Sequence, residues 1–459
     1  YEIWSWLEFR RVLFRSIVKK IIGLVVILLL VGGGIYWYKF VYMKDYIPVL
    51  EVEADKVEIN EYYIYGTYLS MSGNLEKVDA TYKDVDLILY NGNFKSYDIN
   101  VKRNTNKLSF DLDEEINRGL YLEEIDVGNY PMFLRFAYDK EKDNDSKKKK
   151  ENKEEKYDYK YYVLENKTEY KKTTYYTLKS NNKKIVINSD NDYNTMMMNI
   201  EENTNKKIYD IVIDAGHGGI DSGALSNNKK YTESELCMKA SVLLKNKLES
   251  SGYKVKLTRE EDSLTENDYF DEYNEHGRAV IAREVDAKYL FSIHMNSSNS
   301  TKVRGFELYT AKNIDYTLAE KIAESITDNT DIPPSTNKIN REDAGIYTHN
   351  FSTYEINNTL EGYKLKGYKA YNVTENSNYL YMIRETGGFM TGAYVDDSNP
   401  DKVGINKYYN SNVGTESYLL EMGYLTNTKD LDILVNKQEE YIQAIATAII
   451  DYLKNINKK

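Results

Sequence analysis

Cysteine is nearly absent from this chain: Cys237 is the only one in 459 residues. That excludes an intrachain disulfide framework and any cysteine-rich zinc module. Proline is scarce, at five residues, which excludes Pro-rich and collagen-like architectures. Positive charge is not in excess. Sixty-one Lys and Arg against 72 Asp and Glu leave a formal net charge of −11, so no nucleic-acid partner held by overall positive charge is expected. Histidine numbers four, so a histidine-ligated metal would draw on a short list. What is present is the composition of a folding chain, 41% hydrophobic and 29% charged. The length suits about three domains of ~150 residues.

Residues 1–16 read as a non-native or cytoplasmic stretch. Residues 17–44 read as a membrane anchor. Ile21 to Tyr38 is a run of 18 uncharged, mostly apolar residues, near the lower end of the ~17–25 needed to span a bilayer. Lys19 and Lys20 precede it, and Tyr36, Trp37 and Tyr38 close it as interfacial aromatics do. A cleaved leader is the rival reading, with Gly32–Gly34 as its small-residue site, but Ile35, Tyr36 and Trp37 follow too closely. An uncleaved anchor puts everything after residue 44 outside the cytoplasm.

From 45 to 200 the hydrophobic period is two. VDLILYN (Val85–Asn91), YDINVKR (Tyr97–Arg103), KLSFDLD (Lys107–Asp113) and MFLRFAYD (Met132–Asp139) read as strands, as do DYKYYVLE, TTYYTLK and KKIVINS. Short strands so spaced predict a β-sandwich-like domain, immunoglobulin-like in outline. The charged run 140–156 within it reads as a solvated loop. This region shows no catalytic constellation and reads as a spacer or contact module.

After Lys207 strands alternate with helices. Ile208–Asp214, Tyr253–Arg259, Lys288–Ile293, Gly305–Thr310 and Ser417–Gly423 read as strands. Glu233 to about Ser250, Arg278–Val285, Thr317–Ile326 and Lys437–Ile456 read as helices. This predicts an α/β domain over 207–459: a twisted, mostly parallel sheet with helices on both faces.

Two of the four histidines directly follow strands: His217 in DAGHGG and His294 in FSIHMN. Carboxyl ends of strands are where open α/β sheets build their sites, so the pair suggests a metal centre. A third ligand should be a carboxylate or another histidine. At about 100° per residue, Leu236, Cys237, Ala240, Leu244 and Leu248 all fall within about 60° of Glu233, whereas Glu235 points the other way. Glu233 therefore faces the sheet, where a carboxylate needs a partner. Glu421, inside the apolar run SYLLEMGYL, is a second costly carboxylate, placed as a general base would be.

These motifs (IVIDAGHGGIDSGA, ESELCMKASVLLKNKLESSGYKVKLTRE, FSIHMNSS, GFELY and LLEMGYLTN, in that order) resemble the zinc-dependent N-acetylmuramoyl-L-alanine amidases of the amidase-3 family. The resemblance covers about 207–310 and 415–456. It implies one zinc held by His217, Glu233 and His294, a catalytic Glu421, and hydrolysis of the amide between muramic acid and L-alanine in peptidoglycan. It also implies action on the wall side of a bacterial membrane. Asp214 and Asn296 read as supporting residues. An insertion at about 336–415 departs from the family pattern, and its Arg384, Glu385 and Tyr394 are candidates for substrate contact. His276 and His349 read as non-ligands. No HExxH or HxH pattern points to other zinc peptidases. Another zinc-dependent wall hydrolase, or a non-catalytic wall-binding protein, is the alternative.

Overall fold

A computed structural model describes residues 56–456, apart from 76–77, 92–93, 99–106, 111–118, 140–156, 169–171, 178–182, 191–194, 205–207, 220, 261–277, 279–280, 282–284, 313–314, 359–374, 376 and 387–414. The expected anchor at 17–44, the charged run 140–156, most of the helix at Arg278–Val285, and His276 and Tyr394 lie outside or largely outside these residues. No helix among the described residues is long and apolar enough to cross a membrane.

The described residues of 56–202 form strands and the turns between them, as the period-two pattern predicts. The topology of this half departs from a two-sheet immunoglobulin-like sandwich. Its strands join in one hydrogen-bonded network, and one pairing is parallel: Lys56–Ile59 with Val163–Asn166. The reason is the strand Gly128–Asp139, 12 residues long. Its first residues, 128–131, pair with 197–200. The rest pairs with 84–89 on one side and 157–163 on the other. A strand that changes partners along its length carries the sheet around a single core, which includes Leu87, Tyr130, Leu134, Phe136, Ile187 and Met198. Strands at Lys56–Tyr65, Tyr68–Asn74 and Thr195–Glu202 were not anticipated from the sequence.

The second half is a seven-stranded α/β sheet. Its strands are β1 (Ile211–Ala215), β2 (Val255–Leu257), β3 (Tyr289–Asn296), β4 (Glu307–Thr310), β5 (Arg341–Asp343), β6 (Ile346–Thr348) and β7 (Glu416–Tyr424). The order is β2-β1-β3-β7-β4-β6-β5. β2, β1, β3 and β7 run parallel. β4 is antiparallel to β7.

Alternation along each strand sorts its side chains to two faces. Ile211 and Ile213, Phe291 and Ile293, and Tyr418 and Leu420 enter the main core. Helices α1 (Glu233–Ser250), α2 (Thr317–Asn329) and α5 (Gln438–Asn455) cover it. Val212, Leu290 and Leu419 face the other way and meet Met382 and Ile383 on the short helix α3 (Tyr381–Thr386). Within 336–415, β5, β6 and α3 therefore complete the sheet edge and its second face. One further helix, α4 (Thr428–Asn436), went unanticipated. Its signal was Asn427, whose side chain accepts from the amides of Lys429 and Asp430 at 3.0 and 3.2 Å.

Candidate metal centre

β1 runs beside β3; the turn after β1 carries His217, and the last residues of β3 itself, which runs further than the sequence suggested, carry His294. The turn after β1 is tight, with His217 at φ 59°, a left-handed conformation that costs a non-glycine residue energy and that functional sites hold. Glycine is required beside it. A Cβ on Gly216 would lie 2.5 Å from the His294 ring, and one on Gly223 (φ +60°) 2.7 Å from both Glu233 and His217.

Glu233 arrives from the first turn of α1. A capping box sets the start of this helix: Glu235 N–H donates to Thr232 Oγ1 at 3.3 Å, and Thr232 N–H to Glu235 Oε2 at 3.4 Å. Glu235 thus caps while Glu233 turns inward. Burying Leu236, Leu244 and Leu248 against the sheet, at about 1.5–3 kcal/mol for each large side chain, holds the helix in place. Glu233 Oε1 then meets His217 Nε2 at 3.0 Å, His294 Nδ1 at 3.1 Å and the Met295 amide at 3.0 Å. Its Oε2 accepts from the Ala224 amide at 2.9 Å.

The donor atoms of His217, Glu233 and His294 all lie within 4.8 Å of one another. Burial alone would push the Glu233 carboxyl up, but its hydrogen bonds with His217 and His294 bring it well below the usual carboxylate range. For His217, burial lowers the imidazole and the carboxylates of Glu233 and Asp221 more than restore it, so it stands above its ordinary value. Two imidazoles and a carboxylate so gathered are a donor set that can hold a metal ion. His217 Nδ1 also donates to Asp221 Oδ2 at 2.5 Å, the outer carboxylate that fixes a ligating imidazole's tautomer. The residues fit a divalent metal.

Glu421, on β7, pairs with His294 across the ladder. Its Oε2 is buried without a hydrogen-bond partner. Burial, with Glu233 and then Glu307 nearby, drives its carboxyl well above the usual range. A buried, strongly shifted carboxylate beside the three ligand candidates marks a candidate functional group.

Asp214 ends β1 fully buried. Arg278 donates to both its oxygens, at 2.7 and 2.5 Å, with Thr258 and Ser292 hydroxyls at 2.7 and 2.6 Å. Burial would raise it, but Arg278 outweighs burial and holds it far below the usual range. It braces the strand ends. Asn296 sits at a register shift beyond His294; its carbonyl accepts from the Leu425 amide at 2.8 Å.

Arg384 differs from expectation. It is buried, donates to the carbonyls of Asn378 and Tyr379 at 3.1 and 2.9 Å, and lies over the Phe351 ring. These are the bonds of a brace for its own segment, not of a group reaching substrate. His349 pairs with Glu355 at 3.0 Å and stacks on Tyr379, apart from the three ligand candidates. Two contributors were missed from the sequence, Asp221 and Arg259. The Arg259 guanidinium donates to the carbonyls of Ala215, Gly216 and Ser234, each at 3.0 Å, and so clamps the histidine turn to α1. The only available signal for Arg259 was its place at a strand end.

An α/β sheet with two histidines and a glutamate gathered at the carboxyl ends of its parallel strands defines a candidate metal-binding α/β domain. The description of the family Amidase_3, N-acetylmuramoyl-L-alanine amidase, matches residues 211–455; the chain belongs to this family. Among curated relatives, the probable cell wall amidase LytH of Staphylococcus saprophyticus is 38% identical over 117 residues, 25% of this chain and 36% of that protein. The LytH of Staphylococcus aureus is 30% identical over the same length. The match spans about a third of these relatives' length. Among solved structures, the N-acetylmuramoyl-L-alanine amidase AmiC2 of Nostoc punctiforme is 26% identical, covering 54% of this chain and 98% of its own, with a TM-score of 0.35.

Proposed function

We propose that the chain is a peptidoglycan hydrolase that cuts the amide between N-acetylmuramic acid and L-alanine, with zinc as its metal. The observation that carries this reading is the convergence of His217 and His294 on the Glu233 carboxylate, with Glu421, its Oε2 partnerless among the described residues, across the ladder from His294. Family membership and the cell wall amidase relatives support the substrate.

His217, Glu233 and His294 would hold the metal, and Asp221 would keep the His217 ring facing it. When bound, zinc supplies Lewis acidity toward water and the scissile carbonyl. Glu421 takes the proton of the attacking water and returns it to the departing amine nitrogen. Its burial favours holding that proton between the two events. Asp214 and Arg259 keep the histidine turn and α1 in register. Asn296 lines the end of β3, where substrate would pass.

The domain layout belongs to the same reading: 17–44 as a membrane anchor, 45–200 as a β unit, and 207–459 as the catalytic domain with its insertion, acting on the wall side. The test is direct. Purified chain should contain about one zinc and release new L-alanine amino termini from purified wall, and a chelator should abolish the release. Products with no such termini would overturn the reading.

A further inference from the structure

Beside Glu421 stands a second carboxylate that the proposed reaction does not use. Glu307 opens β4 and pairs directly with Glu421 on β7. Glu421 pairs in turn with His294 on β3. Directly paired residues project to the same face of a sheet. The neighbours Ile293, Leu420 and Leu308 all enter the main core on the opposite face. His294, Glu421 and Glu307 therefore form one row across three strands.

Like charges directly opposite each other on paired strands are destabilising, so a carboxylate at this position needs a reason. The two glutamates are also treated differently. Glu307 is 1% exposed and well supplied with donors. Tyr309 Oη donates to its Oε2 at 2.6 Å. Ser335 Oγ and Tyr424 Oη donate to its Oε1 at 2.7 and 2.6 Å. The donors come from its own strand, from the segment after α2, and from the end of β7. Glu421 Oε2 has no hydrogen-bond partner among the described residues. One carboxylate is fixed from three sides, and its neighbour is held less on the Oε2 side.

We propose that Glu307 is a positioning residue for the reaction, a fixed negative wall that turns the Glu421 side chain toward His294 and the metal ligands. In the ionised form that a general base needs, the Glu421 carboxylate turns away from an anchored one. On this row, away from Glu307 means toward His294. Tyr309, Ser335 and Tyr424 act through Glu307 by holding it still. The inference rests on the amide-hydrolysis reading above.

The experiment is a kinetic cycle on the full chain with zinc bound. Glu307→Gln keeps the shape and removes the charge. It should lower kcat about 10–100-fold, the scale of losses when a supporting group is removed, with KM within about twofold and zinc content unchanged. Because Glu307 acts through Glu421, the double variant Glu307→Gln/Glu421→Gln should be no slower than Glu421→Gln alone. A near-wild-type kcat for Glu307→Gln, or additive losses in the double variant, would overturn the proposal. So would a loss explained wholly by KM or by zinc.

If Glu307→Gln does not fold, Ser335→Ala decides. It removes one anchor and should lower kcat several-fold at constant KM; an unchanged kcat overturns the proposal. The wild-type products separate the two readings. A wild type that cuts wall at another bond defeats the amidase reading, yet the same cycle on that cut still judges Glu307. A wild type that cuts nothing defeats both.

Discussion

The two ends of the α/β sheet bury charge in opposite ways. At the amino ends of the strands, Lys288, Asp210 and Glu416 are buried with Glu123 of the β unit. Each has company. Asp210 accepts from the Lys254 amide at 2.7 Å, Tyr418 donates to Glu416, and Tyr175 of the β unit donates to Glu123. The Lys288 ammonium lies 4.7 Å from the centre of the Tyr175 ring. Backbone also approaches closely, since a Cβ on Gly66 would lie 2.4 Å from Glu416 Oε2. At the carboxyl ends, by contrast, two imidazoles share one carboxylate oxygen and Glu421 Oε2 has no partner. A buried carboxylate supplied with donors holds elements together. Charge left unanswered costs stability and persists where chemistry needs it.

The largest effect should come from breaking the unanswered end at its centre. Glu233→Ala leaves two imidazoles without their shared carboxylate. Metal analysis should show zinc well below one per chain, and wall cleavage should fall by more than ~10⁴-fold, beyond the range of a single acid–base group. Glu421→Gln should cost about 10²–10⁴-fold in turnover with zinc retained. The metal content of that variant, measured beside its rate, separates the proton-transfer role from a ligand role. Full zinc loss or a near-wild-type rate would refute the assignment.

Asp214→Asn tests the answered kind of charge next to the site. It leaves the Arg278 guanidinium buried without its counter-charge, and breaking such a pair costs about 3–5 kcal/mol. Urea unfolding of the two proteins reads this directly, and a loss below about 1 kcal/mol would deny Asp214 its bracing role.

The smallest effect belongs to the amino end. Burial pushes the Lys288 amine down from 10.5 to about 8. Between those values the unfolded chain holds a proton that the folded chain has released. Stability from this group therefore rises with pH from about 8 to about 10.5, by up to about 3 kcal/mol, and is lost again as pH falls back through 8. Lys288→Met should remove that rise. Unfolding midpoints of both proteins at pH 7.5 and 9.5 give the difference, in which the tyrosines common to both cancel. Parallel pH dependence in the two would show that Lys288 does not titrate in this window.

What the sequence determined by itself were the features that backbone geometry repeats locally. The 3.6-residue period put Glu233 on the buried face of α1 and Glu235 on the other, and the capping box used Glu235. Apolar runs alternating with helices marked the strands of the α/β domain, and their ends marked His217 and His294. Tertiary structure alone decided which distant groups meet. Asp214 finds Thr258 44 residues away and Arg278 64 residues away, and Glu307 takes a bond from Tyr424 117 residues on. Glu307 faces Glu421 only because β4 joins β7 antiparallel in one register; a shift of a single residue would turn it into the core. Arg384 looked free to reach substrate until the fold wrapped it in the carbonyls of Asn378 and Tyr379. Local periodicity follows from the dihedral angles of each residue, whereas strand order and register follow from the packing of the whole chain, which no short segment encodes.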